Sequence, residues 1–258
     1  MDDTRKQPGE KTESFPSTGS RLSRTGRKYS LSVVGFVDTL GAKAFAESEP
    51  FMNALAFMVD RQKRIDSALG EDRPLRTTYF SDNIGASIVI EGLDTTQRQR
   101  SVGKVLRLLA GIQLSYLREF GILCRGGVAI GKCFHNESVL FGPALVGAYQ
   151  LELAAGSPRI AVSADVAALT VEKMVPLLAA EPLLKPGDDR SVATARSIDF
   201  MRAELPPVGP ARQPYLDSLS MAISKGLKES ANDKTGVLSK WEWTKQRFEE
   251  LKDDTGIA

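Results

Sequence analysis

One histidine and two cysteines among 258 residues leave little room for several common chemistries. His135 cannot build a zinc cluster without cysteine partners. Cys124 and Cys133 flank an expected strand instead of forming a C-x-x-C pair, so neither zinc binding nor thiol redox chemistry is indicated. No apolar run reaches the roughly 18 to 20 residues that span a membrane. The polar start of the chain has no apolar signal region, so nothing points to export and a cytoplasmic location is expected. Charge of one sign is also missing. A formal net charge of +2 is too near neutrality for the whole chain to act as a nucleic-acid binder, and no nucleic-acid partner is expected. Internal repeats are absent. What is present is an ordinary globular composition, 42% hydrophobic and 26% charged, able to form a substantial core without a metal or disulfide staple.

Residues 1–28 are rich in Ser, Thr, Gly, Lys and Arg and show no hydrophobic period. Arg21, Arg24, Arg27 and Lys28 gather near the end of this stretch, after four acidic residues. Such a cluster can bind phosphates, but the composition is that of a solvated, disordered tail. From Tyr29 the pattern changes. Leu-Ser-Val-Val-Gly-Phe-Val-Asp is an apolar run ending in Asp-Thr-Leu-Gly, a buried strand followed by a turn. Pro50 suits the first turn of a helix, and Phe51, Leu55, Met58 and Val59 follow at helical spacing. Residues 75–90 contain two β-rich runs separated by Ser81-Asp82-Asn83, a hairpin pattern. Val102, Val105, Leu106, Leu109, Ile112, Tyr116, Leu117 and Phe120 form one stripe of a long helix that stops near Gly121. The run from Ile122 to Phe134 reads as another strand, with glycines where a backbone must approach something closely.

This order is βαββαβ, the plan of ferredoxin-like, palm-type α+β domains. Short, right-handed connections place the first and third strands side by side. Asp38, at the end of the first strand, and Asp82, in the following hairpin, therefore arrive at one sheet edge. Two carboxylates there suit two Mg2+ or Mn2+ ions and phosphoryl transfer. Each Asp could also be a helix cap or a turn residue, and it is their joint placement that favours metal binding. The turn Thr39, Leu40, Gly41 could present backbone N–H groups to phosphate oxygens, with Gly41 permitting close approach. Beyond residue 140 a helix, a strand and a short helix are expected. A proline-punctuated connection from Pro182 to Pro214 leads to a helical stretch from Leu216 to about Leu251, broken near Gly236. Trp241 and Phe248, seven apart, are expected to dock that stretch on the core.

Over residues of about 31–165 the chain resembles the class III nucleotide cyclases. Phe36-Val37-Asp38-Thr39-Leu40-Gly41 matches the family's F-x-D-x-x-G. Ser81-Asp82-Asn83 stands in place of its Gly-Asp turn. Arg125-Gly126-Gly127-Val128-Ala129-Ile130-Gly131-Lys132 matches R-x-G-[IV]-x-x-G followed by a basic residue. The resemblance implies attack by a 3′-hydroxyl on its own α-phosphate at two metal ions, in a homodimer with active sites at the subunit interface. It also implies a role for Lys132 on the terminal phosphates, although a solvated strand-end lysine fits the pattern equally. Arg125 is expected to be a structural ion-pair partner, and His135 a surface or supporting residue.

The departures from the family concern the base. Pro143, Val146 and Gln150 stand where purine cyclases carry Asp, Asn and Arg, and Thr78 stands at the adenine-reading Lys position. Metal carboxylates kept and purine-reading groups lost resemble the pyrimidine cyclases of the Pycsar anti-phage systems, whose substrates are UTP or CTP. Tyr79 and Phe80 could narrow the pocket for a single ring; alternation allows only one of them, and Tyr79 is the expected choice. A purine cyclase with unfamiliar base contacts and a degenerate nucleotide-binding module remain as alternatives. A diguanylate-cyclase palm is disfavoured because the hairpin lacks G-G-[DE]-E-F. The expected division is a disordered basic tail (1–28), a cyclase domain (29–205) and a C-terminal helical extension (206–258).

Overall fold

The computed structural model describes residues 28–41, 53, 56–57, 60, 73–170, 178–179, 196–233 and 236–255. The basic tail through residue 27 and the stripe residues Phe51, Leu55, Met58 and Val59 lie outside the described residues. Residues 53, 56, 57 and 60 are helical, and Phe57 meets Phe120 edge-on at 6.5 Å.

Strand β1 (Ser30–Thr39) is the centre of the fold. Its interior is buried along both faces, which is why the sequence reads there as a continuous apolar run. It pairs antiparallel with β3 (Asn83–Val89), which forms a hairpin with β2 (Arg76–Phe80). On its other side β1 pairs antiparallel with β4 (Cys124–His135) along ten residues. These four strands run β2-β3-β1-β4 across the sheet, the arrangement that the ferredoxin-like plan requires. Beyond β4 the sheet continues through β6 (Ile160–Val162), β8 (Arg196–Ile198) and β7 (Leu178–Ala179), with β4 and β6 parallel. The short β5 (Leu140–Phe141) folds back on the end of β4.

Helix α1 (Thr95–Ser115) starts at a capping box in which Asp94 and Gln97 satisfy each other's backbone N–H groups. Its last turn, Tyr116–Phe120, widens into a π-helix and ends at Gly121, whose φ is +65°. The expected stripe from Val102 to Leu117 is buried against one face of the sheet. Contact is close: a Cβ at Gly35 would lie 2.6 Å from Leu109 Cδ1. Helix α2 (Pro143–Ala155) covers the opposite face, with Pro143 in its first turn, where a missing N–H costs nothing. A second apolar cluster forms beneath α2 from Phe36, Ala129, Ala148, Leu151 and Ala161. The short α3 (Ala164–Ala168) and α4 (Phe200–Ala203) lead to a helical hairpin of α5 (Arg212–Glu229) and α6 (Val237–Thr255), which turns at Gly236 with φ +85°. Trp241 and Phe248 are buried in the main core, and the Trp241 ring fills the space over Gly226. No helix among the described residues is long and apolar enough to cross a membrane.

Candidate active site

Strand register decides what meets at the end of β1. Asp38 is paired with Asn83 on β3 and with Arg125 on β4. Asp82 occupies the two-residue turn before Asn83, and Ser81 takes the strain of that turn with φ +56°. The Asp82 carbonyl accepts the N–H of Thr39 at 3.2 Å, which ties the hairpin to the end of β1. Asn83 Nδ2 donates to Asp82 Oδ1 at 3.3 Å. The two aspartates are therefore neighbours, and the charge of Asp82 acts on Asp38.

Arg125 lies beside them. Its Nε is 3.4 Å from Asp38 Oδ2 and also forms an ion pair with Glu152 of α2, whose side chain is 1% exposed. Burial raises the pKa of Asp38 above the ordinary carboxylate range; Arg125 pulls against that rise and Asp82 adds to it. Glu152 is likewise raised by burial and drawn down by Arg125. Asp38, Asn83, Arg125 and Glu152 form the floor of a cleft of about 590 Å³. The other walls are apolar, formed by Phe36, Phe80, Phe141, Leu145, Tyr149 and Leu153 among others. Phe36 meets Tyr149 edge-on at 5.7 Å and Phe80 at 6.3 Å.

Among the described residues no cluster of three or more His, Cys, Asp or Glu side chains could hold an ion. The candidate donors are thus Asp38, which lines the cleft, and Asp82 beside it. That suits Mg2+ or Mn2+, which commonly bind through one or two carboxylates plus substrate phosphates.

The structure separates the other expected site residues. In the turn after Asp38, the Thr39 N–H is taken by Asp82 and the Leu40 N–H by the Leu123 carbonyl at 2.8 Å. Both side chains are buried, so the expected phosphate cradle reduces to exposed Gly41, with φ +78°. Lys132 is paired with Leu31, seven positions along β4 from Arg125. An odd offset puts it on the opposite face of the sheet, and seven residues carry it about 23 Å along the strand. Lys132 and Asp38 therefore do not share a site within one chain; Arg125 is the cation beside Asp38.

Tyr79 corrects another expectation. Its side chain packs on the α1 side, against the main core, and Phe80 enters the cleft. Thr78 and Gln150 are absent from the cleft lining; Gln150 is exposed on α2. Thr78 Oγ1 is 2.8 Å from His135 Nε2, while Ser87 Oγ is 2.7 Å from His135 Nδ1. His135 thus fastens the end of β4 across β2 and β3. Burial, aided by the Arg76 charge, lowers its pKa to about 4, so the ring is neutral near pH 7. Glu152 belongs to none of the sequence motifs, although it is the single charged residue in the α2 sequence PALVGAYQLELAA.

Comparison with known proteins gives no match to a family model and none among curated proteins. Solved structures do resemble the fold. The adenylyl cyclase CyaB from P. aeruginosa is 15% identical with a TM-score of 0.48, over 67% of this chain and 95% of that one. The catalytic core of a rhodopsin-guanylyl cyclase with converted specificity, in complex with ATPalphaS, is 14% identical with a TM-score of 0.49, over 66% and 96%. A bacterial light-regulated adenylyl cyclase is 16% identical with a TM-score of 0.45, over 77% and 98%.

Proposed function

We propose that this chain is a nucleotide cyclase that converts a nucleoside triphosphate into its 3′,5′-cyclic monophosphate and pyrophosphate. The observation that carries the reading is the convergence of Asp38 and Asp82 at one sheet edge, with Asp38 and Arg125 lining an open cleft. Divalent ions held by the two carboxylates would supply the positive charge that activates a 3′-hydroxyl and steadies the triphosphate. The chain's own contribution is placement. The β1–β3 register fixes one carboxylate against the other. Arg125 offers a guanidinium to phosphate oxygens and is held at its Nε between Asp38 and Glu152. The aromatic walls exclude water and offer ring faces to ribose and base.

The substrate is a pyrimidine triphosphate, UTP or CTP. Support comes from the residues at purine-reading positions: Thr78 is engaged by His135, and Gln150 is outside the cleft. The working unit is a homodimer. Phe141, Val146, Tyr149 and Leu153 are 60%, 53%, 47% and 53% exposed around the cleft, an apolar rim suited to a second copy. A second copy also gives Lys132 a way to reach phosphates that it cannot reach in its own chain. Use of the cyclic product as an anti-phage second messenger rests on the Pycsar resemblance.

Incubation of the purified chain with Mn2+ and each of the four triphosphates tests the proposal. Cyclic UMP or cyclic CMP is the expected main product. Cyclic AMP or cyclic GMP would replace the pyrimidine assignment, and no product from any triphosphate would leave a nucleotide-binding module.

A further inference from the structure

We propose that Glu152 is a positioning residue that keeps Arg125 from competing with divalent cations for Asp38, an inference that rests on the two-metal reading of the site. Arg125 Nε lies between two carboxylates in different layers: Asp38 at the sheet edge and Glu152 on α2. Their exposures differ sharply. Both residues line the cleft, but the Asp38 side chain is 23% exposed and that of Glu152 only 1%. Incoming cations can therefore reach Asp38, while Glu152 is largely shielded from solvent. Nor is Glu152 a third ligand, since no three acidic or imidazole side chains among the described residues are close enough to hold an ion together.

A buried ion pair is a poor source of stability compared with an apolar pair of similar volume. A buried glutamate in a helix with no other charged residue thus calls for a use of its charge. Both contacts are made at Nε, whose N–H donates to Asp38; the charge pairing with Glu152 does not use that hydrogen bond, so Arg125 can release Asp38 and stay paired with Glu152. With Glu152 present, metal binding at Asp38 breaks only one of two ion pairs and leaves the guanidinium neutralised at the cleft floor. Without it, Arg125 has Asp38 as its remaining ion-pair partner and opposes each arriving cation.

The test is Mn2+ binding to the full chain, read as loss of the free-ion signal in electron paramagnetic resonance, with no nucleotide present. Glu152→Gln is expected to raise the dissociation constant about tenfold, equivalent to about 1.4 kcal/mol. The double variant R125M/E152Q removes the competing cation as well and is expected to return to within about threefold of wild type. Should E152Q fail to fold, Glu152→Asp keeps the charge but draws it back by one methylene, and the same weakening is expected. An E152Q protein that binds Mn2+ like wild type, even with a lowered Tm, would show Glu152 to be a packing counterion only and overturn the proposal. So would a double variant as weak as E152Q. Failure of the two-metal reading looks different: Asp38→Ala would then bind Mn2+ as wild type does.

Discussion

Gly127 sits where β4 passes beneath α2, and adding a single methyl group there tests how the site is held together. A Cβ at this position would lie 2.0 Å from the Ala148 carbonyl oxygen and 2.7 Å from Leu151 Cβ. An oxygen and a carbon need about 3.3 Å, so α2 must recede by more than about 1 Å, because the obstacle is backbone and cannot swing aside. Overpacking of this kind costs about 1–3 kcal/mol, and a backbone obstacle places Gly127→Ala at the upper end. The lower entropy of the unfolded chain returns up to about 1 kcal/mol. The net loss is about 2 kcal/mol, which for a chain of this size lowers Tm by about 4–8 °C. Activity should suffer more, since α2 carries Glu152 and Tyr149, and a misplacement of about 1 Å can cost a hundredfold in turnover. Gly131→Ala is the control. It lies on the same face, but its Cβ would meet Ala144 at 3.4 Å, an ordinary contact. Thermal melts and cyclic-product assays on both variants would decide the matter. If the two alanine variants melt together and turn over alike, α2 is not clamped to the sheet at Gly127 and its role in placing the site is refuted.

The remaining predictions address the metals, the rim and the histidine. Asp38→Ala and Asp82→Ala should each abolish turnover while leaving the far-ultraviolet circular dichroism unchanged; measurable cyclization by both in excess Mn2+ would refute the metal assignment. Leu153→Glu puts a charge on the exposed apolar rim, and analytical ultracentrifugation should show a folded monomer without activity if that rim joins two copies. His135→Gln should cost about 1–3 kcal/mol through the unpaired hydroxyls of Thr78 and Ser87, measured by urea unfolding at pH 7. Its folded pKa of about 4 lies below the ordinary imidazole value of 6.5, so wild type binds fewer protons folded than unfolded in that interval. The stability contributed by neutral His135 is present above about pH 6.5 and lost as pH falls toward 4, and the variant should lack this component of the acid dependence.

The fold was legible because its signals are local and agree with one another. A buried central strand reads as an apolar run, α1 as a stripe that stops near Gly121, and short right-handed connections leave β1 beside β3. That adjacency alone brings Asp38 to Asp82, and the observed register confirms the geometry. Partners far apart in sequence were not legible. His135 bonds to hydroxyls 57 and 48 residues earlier, and no local pattern announces either contact. The N–H groups of Thr39 and Leu40 look free in a turn but are used by the Asp82 and Leu123 carbonyls.

Strand parity explains the two displaced expectations. The Phe80–Asn83 pairing places Phe80 in line with Asn83 and Asp38, and so on the cleft face, while Tyr79 points into the core. Which parity holds depends on the turn at Ser81 and Asp82, because a slip of one residue would exchange the two rings. Lys132 obeys the same rule. Seven positions from Arg125 is an odd number, so no straight strand can offer both cations to one face. The basic motif of β4 is therefore split between the two faces of the sheet. Its first residue belongs to the carboxylates of its own chain and its last is turned away from them.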